Sequence, residues 1–141
     1  MSFGETEMKE RLFIYGTLLP EYASDEIAGS VKRLVCVGEA SVSGRLYDLG
    51  EYPGAVLDPS AKTKVFGRVY ELPNNTSTLR ALDSYEEFYP NDLDKSLFVR
   101  KQILVNLSSG ERVPCWVYVY NRDPGAAPLL TDGNYKKYQA A

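Results

Sequence analysis

The chain carries no histidine, which excludes the mechanisms that need imidazole: the serine hydrolase triad, the Cys–His pair and the usual zinc and iron sites. Proton transfer near neutral pH then falls to a carboxyl, a tyrosine, a lysine or one of the two cysteines. Spacing singles out Glu86. Leu79, Leu82, Asp83 and Glu86 stand at i, i+3, i+4 and i+7, one face of a helix, and the two leucines must bury that face. If the helix continues one turn, Glu86 extends the stripe and its carboxyl points into the fold. Desolvation then raises its pKa toward the range a proton shuttle needs. If the helix frays at Tyr85, Glu86 is a solvated end residue. Spacing alone leaves both open, and it puts Glu87, off the stripe, at the surface.

Three further segments have chemical potential. Tyr15-Gly16-Thr17-Leu18 follows a short apolar strand. Glycine at a strand exit lets the backbone turn sharply, so that successive N–H groups can cradle an anion such as a carboxylate, with the Thr17 hydroxyl as an extra donor. An ordinary strand end fits the same four residues. Tyr52-Pro53-Gly54-Ala55 has the composition of a rigid turn, and Tyr52 beside it could line a pocket. Arg100 lies on the opposite strand face from Val99, free to meet a carboxylate or to remain solvated. The acidic knot Asn91, Asp92 and Asp94 lacks the glycine and closing glutamate of a calcium loop and reads as a solvated loop. No dinucleotide or P-loop glycine pattern occurs, so a nucleotide cofactor has no support; with no histidine and no calcium loop, neither a metal nor an organic cofactor is expected.

Sixteen Lys and Arg against 19 Asp and Glu leave a net charge of −3, no surplus with which to neutralise a nucleic-acid backbone. The apolar runs are too short to span a membrane. Residues 1–10 are polar, unlike a signal peptide, and are expected to form a tail ahead of a single domain over 11–141. The expected location is the cytoplasm. Cys36 and Cys115 each lie inside an apolar run and are expected as buried, reduced residues, with a disulfide left open.

The elements that must position these residues are mostly strands. Glycine and proline breaks punctuate the chain at short intervals, bounding segments at Leu12–Tyr15, Arg33–Glu39, Ser41–Leu49 and Lys64–Leu72. Val99–Leu107 and Arg112–Tyr120 form a hairpin around Ser108-Ser109-Gly110-Glu111. In its second strand Val113, Cys115, Val117 and Val119 oppose Trp116, Tyr118 and Tyr120, so both faces should be covered. Thr76–Tyr85 is the clearest helix, capped by Thr76 or Ser77, and a second short helix is possible near Asp25–Val31. The sum is an α+β fold: a small mixed or antiparallel β-barrel with one or two packed helices.

In their order, Tyr15-Gly16-Thr17-Leu18, Gly44-Arg45-Leu46-Tyr47, Tyr52-Pro53-Gly54, Val65 to Tyr70, Leu82-Asp83-Ser84-Tyr85-Glu86, Val99-Arg100 and Trp116-Val117-Tyr118 resemble the gamma-glutamylcyclotransferase-like family over roughly residues 11–138. The resemblance implies a small barrel with flanking helices and Glu86 as the catalytic acid/base. It also implies a substrate-binding loop at Tyr15, Gly16, Thr17 and Leu18, with Tyr52 and Arg100 as further substrate-binding residues. The implied ligand is a small γ-glutamyl amine or peptide, cyclised to 5-oxoproline. Three positions depart from the family pattern: Glu87 stands where glycine is common, Phe98 where tyrosine is frequent, and Gly133-Asn134-Tyr135 is only similar to a Gly-Asp-Trp-like stretch. A binding or interaction module on the same barrel is the alternative, since fold alone does not fix activity.

Overall fold

Strand β1 (Arg11–Ile14) alternates strictly, Phe13 toward one core and Leu12 and Ile14 toward another, as the period-2 geometry of a strand covered on both faces requires. A computed structural model of the chain describes residues 9–135. After β1 come α1 (Asp25–Val31), β2 (Val35–Asp48), β3 (Pro53–Leu57), β4 (Lys64–Glu71), α2 (Thr76–Tyr85), a 3-10 turn at Leu93–Lys95, β5 (Phe98–Leu107) and β6 (Arg112–Tyr120).

The strands run β2-β4-β1-β6-β5, and β5 returns to β2 through Ala40–Leu107 and Ser41–Asn106, closing a five-stranded barrel. The β1–β6 pair is parallel and the other pairs are antiparallel. β3 adds an extra strand to the far end of β2. Inside the barrel lie Phe13, Val42, Val65, Val69, Val105, Cys115 and Val117. Outside it, Leu12, Ile14, Tyr70 and Tyr118 meet Ile27 and Val31 of α1 and Leu82 of α2. β6 is therefore covered on both faces, its valines and Cys115 inward and its aromatic residues toward the helices.

Several boundaries differ from the sequence expectation. The two segments at Arg33–Glu39 and Ser41–Leu49 are one strand of 14 residues, kinked by a bulge between Cys36 and Gly38. The bulge absorbs an extra residue without ending the ladder. Cys36 is exposed rather than buried, because this end of β2 reaches beyond the point where β5 joins and has β4 alone beside it. Cys115 is buried, its thiol pushed up to about 11 by burial, and both thiols are free.

Pro53 and Gly54 lie in β3, not in a turn. The reversal comes just before them, where Gly50 takes φ +103 and its N–H donates to Asp48 Oδ1 at 2.9 Å. Proline is tolerated as a first strand residue because it has no N–H to leave unpaired. Asn75, rather than Thr76 or Ser77, caps α2, accepting from the Thr78 N–H at 3.1 Å. Of the expected N-terminal tail, residues 1–8 lie outside the described residues, while the Glu10 carbonyl accepts from the Leu72 N–H at 2.9 Å.

The barrel is tightest where β4 crosses the exit of β1. A Cβ on Gly67 would overlap the Ile14 carbonyl oxygen and lie 3.0 Å from the Tyr15 Cα, so the contact is backbone on backbone and cannot be relieved by a rotamer change. Gly67→Ala should cost roughly 2–4 kcal/mol, read as a lower urea midpoint at unchanged slope. A change within about 0.5 kcal/mol, the range of an ordinary surface substitution, would contradict this close approach.

Candidate active site

The helix that carries Glu86 ends at Tyr85, as the fraying alternative requires, yet Glu86 is half-buried rather than freely solvated. Glu86 is the C-cap, with φ −84 and its N–H donating to the Leu82 carbonyl at 2.9 Å. Beyond it the chain closes a Schellman motif: the Phe88 N–H donates to Asp83 O at 2.9 Å and the Glu87 N–H to Ser84 O at 3.1 Å. Phe88 and Leu82, both buried, supply the apolar contact that accompanies this motif. The cap keeps Glu86 on the Leu82 face, one turn further along, and aims it at the barrel. The motif also needs a left-handed residue at Glu87, which sits at φ +55. Glycine adopts that conformation without strain, so Glu87 departs from the family pattern at a position whose backbone favours glycine.

Glu86 lines a narrow cavity with Phe13, Ile14, Tyr15, Gly16, Thr17, Leu18, Tyr52, Pro53, Phe98 and Tyr118. Two segments far apart in sequence form its mouth. Gly16 packs so tightly on β3 that a Cβ there would lie 2.6 Å from Pro53 Cγ, which is why the strand exit needs glycine. The turn is held by the Leu19 N–H donating to Gly16 O at 2.9 Å. The N–H groups of Gly16, Thr17 and Leu18 and the Thr17 hydroxyl donate to no protein acceptor among the described residues. Three successive N–H groups left without a protein acceptor beside a cavity are a donor row of the kind that can hold an anion.

Tyr15 lines the cavity, but its hydroxyl is occupied. It donates to the Tyr118 carbonyl at 2.6 Å and accepts from the Ala55 N–H at 3.2 Å, so it braces β1, β3 and β6 against one another. Tyr52 stands at the mouth, edge-on to Phe98 at 5.8 Å between ring centroids. Arg100 is placed elsewhere. Its Nε and a terminal nitrogen donate to the two carboxylate oxygens of Asp83 at 2.8 and 3.1 Å, and its guanidinium lies 4.3 Å from the centroid of the Trp116 ring. Asp83 also accepts from the Tyr118 hydroxyl at 2.6 Å. Arg100 thus does not line the cavity: the expected carboxylate partner is a helix residue of the same chain, three positions before Glu86. Sequence reasoning set Asp83 on the right face without assigning it a partner, and it missed Tyr118 and Phe98 as walls because a cavity formed by distant strands leaves no local spacing.

The carboxyl of Glu86 makes no hydrogen bond or ion pair among the described residues. Burial pushes its pKa up to about 8, and the charge of neighbouring Glu87 adds to the rise. The phenols of Tyr15 and Tyr118 are raised by burial first and further by nearby carboxylates, so both remain neutral. Among the described residues no three His, Cys, Asp or Glu side chains gather as metal ligands, and no helix is long and apolar enough to cross a membrane.

The fold and cavity define a small closed barrel built around one water-depleted carboxyl and a row of free backbone donors. The chain belongs to the gamma-glutamyl cyclotransferase, AIG2-like family, whose profile matches residues 12–137. A relative named gamma-L-glutamyl-butirosin B gamma-glutamyl cyclotransferase, from Niallia circulans, is 33% identical over 129 residues, 91% of this chain and 76% of that protein. The gamma-glutamylcyclotransferase family protein YtfP of Escherichia coli K12 is 30% identical, over 89% of this chain and 95% of that protein. The crystal structure of an AIG2-like protein from Mus musculus superposes with a TM-score of 0.69 at 21% identity, covering 92% of this chain and 90% of that one. YkqA from Bacillus subtilis superposes with a TM-score of 0.65 over 94% of this chain, which spans 41% of YkqA.

A buried carboxyl that prefers its neutral form makes stability depend on pH. With an ordinary value of 4.5 and a folded value of about 8, the favourable contribution is complete below 4.5. It is lost as the pH rises to 8, because the unfolded chain releases this proton first. Glu86→Gln removes that loss. The variant should match the parent in melting temperature near pH 4.5 and exceed it above pH 8, by about 5 kcal/mol in unfolding free energy. A variant of equal or lower stability at pH 8.5 would contradict desolvation of Glu86.

Proposed function

We propose that the chain is a γ-glutamyl cyclotransferase that converts a γ-glutamyl amine or peptide to 5-oxoproline and the free amine, with Glu86 as general acid/base. The observation that carries this is the lone carboxyl of Glu86, unpartnered and shifted to about 8, facing the same cavity as the free N–H groups of Gly16, Thr17 and Leu18. Membership of the family and the name of the Niallia circulans relative support the reaction class.

The nucleophile is the substrate's own α-amino group, so the protein needs no nucleophilic side chain. The free N–H row takes the α-carboxylate, the glutamyl group's full negative charge, and Tyr52 and Phe98 bound the path of the γ-amide. Holding the folded-back conformer makes ring closure an intramolecular attack already aligned, an effect worth several kcal/mol. Nitrogen attacks the γ-carbonyl carbon, a C–N bond forms, and the bond from that carbon to the departing nitrogen breaks. The α-ammonium loses two protons in becoming the ring N–H, and the departing nitrogen gains two in becoming an ammonium. No net proton and no water is consumed. One carboxyl relaying protons between the two nitrogens serves both halves of the reaction.

Asp83, Arg100 and Tyr118 act at one remove as positioning residues, holding the end of α2 against β5 and β6 so that Glu86 keeps its aim. Tyr15 does the same for the turn at Gly16.

Glu86→Gln should lower 5-oxoproline release at least ~100-fold, measured by chromatography with a panel of γ-glutamyl amines and dipeptides. Retained activity would remove Glu86 from the mechanism. Glu86 must start as the carboxylate, so kcat/KM should rise with pH and level off above an apparent pKa of about 8. Glu87→Gln removes the neighbouring charge and should move that limb to lower pH. A limb unmoved by Glu87→Gln would show that Glu86 is not the group that titrates.

A further inference from the structure

A second cavity opens outward from the first. It has a volume of about 250 Å³ and is lined by Thr17, Glu51, Tyr52, Tyr85, Glu86, Glu87, Leu97 and Phe98. Thr17, Tyr52, Glu86 and Phe98 belong to both chambers, so Glu86 stands where they join. Given the cyclotransferase reading, on which this inference rests, the γ-carbonyl must lie at Glu86. The glutamyl group then fills the inner chamber and the departing amine extends into the outer one.

The outer chamber has one sign of charge. Glu51 and Glu87 are exposed on its wall, neither engaged in a hydrogen bond or ion pair through its side chain among the described residues, and no Lys or Arg lines it. The two carboxylates and Glu86 all act on Tyr52, whose phenol is raised by burial first, then by Tyr120, Glu87, Glu51 and Glu86. The remaining wall is aromatic, from Tyr52, Tyr85 and Phe98. Acidic side chains above aromatic faces attract an ammonium by charge and by the ring quadrupole, and they repel a carboxylate. The surface acids alone would mean little. What ties them to a ligand is the continuity of the two chambers at Glu86, a half-buried carboxyl with no partner among the described residues that lines both.

We infer that the outer chamber is a leaving-group subsite selective for a cation, and that the preferred substrates are γ-glutamyl derivatives of di- or polyamines, in which the departing amine bears a second ammonium. Neutral alkylamine conjugates bind the same chamber without the charge attraction, and conjugates ending in a carboxylate are disfavoured.

Three conjugates of one chain length test this on the full chain: γ-glutamyl-1,5-diaminopentane, γ-glutamyl-pentylamine and γ-glutamyl-5-aminopentanoate. Their kcat/KM values should fall in that order, the first exceeding the second by roughly three- to tenfold, with the gap shrinking in high salt. In Glu51→Gln/Glu87→Gln, with folding checked by thermal melting, the gap should shrink to about twofold or less. The effect of Glu87 on Glu86 acts on all three conjugates alike and cancels in the ratio. Equal or better turnover of the pentylamine conjugate, or a preference that survives both substitutions, would overturn the subsite. If none of the three is cyclised, the cyclotransferase reading fails. Titration calorimetry with the same three compounds then decides the subsite on its own: tightest binding of the diamine conjugate upholds it, and no preference overturns it.

Discussion

A carboxyl removed from water without a hydrogen-bond partner costs free energy, and a small barrel keeps such a group only when surrounding structure holds it there. For Glu86 that structure is the Schellman cap at the end of α2. The cap fixes the backbone of Glu86 through the Leu82 carbonyl and turns the chain away at Glu87, anchored by Phe88 in the outer core. Without it, the last turn of α2 would be free to unwind and Glu86 could recover its hydration. The elevated proton affinity of the site is therefore a consequence of how one helix stops, more than of any group that touches the carboxyl.

Around that cap, charge is managed by segregation. Asp83, three residues earlier on the same helix, is engaged by Arg100 and Tyr118, while Glu86 pairs with no cation among the described residues. Two carboxyls on one helical face thus fall into opposite regimes, one in a half-buried ion pair and the other with its proton affinity raised by desolvation. Were Arg100 to face the cavity instead, it would hold Glu86 as a bound carboxylate with its pKa depressed, unsuited to accept and return a proton near neutrality. The pairing of Arg100 with Asp83 keeps the site free for a proton relay.

Much of this was legible in the sequence, for identifiable reasons. Period-2 alternation in Lys64–Leu72, Val99–Leu107 and Arg112–Tyr120 gave the strands, and the stripe of Leu79, Leu82 and Asp83 gave α2 and its buried face. Glu86 could not be resolved from spacing because the choice between buried and solvated rests on the cap, and the cap depends on Glu87 in a conformation that residue does not advertise. The merger of two segments into β2 was hidden because the ladder that carries it unbroken through Ala40 is supplied by β4, from another part of the chain. The partner of Arg100 was not legible for a related reason: strand alternation gives the face of a side chain, while the carboxylate it meets, Asp83, comes from another element. The walls contributed by Phe98 and Tyr118 and the contact of Gly16 with Pro53 arise from barrel closure, which no window of sequence contains.

The central claim is that Glu86 is desolvated at the junction of the barrel and the end of α2. It is tested most directly by titrating that side chain by NMR, with glutamate carrying a carbon-13 label at the side-chain carboxyl carbon and the resonance assigned by its loss in Glu86→Gln. The account predicts a midpoint near 8 in the ligand-free protein. A midpoint near the ordinary 4.5 would mean that water reaches the carboxyl freely, and it would contradict the account.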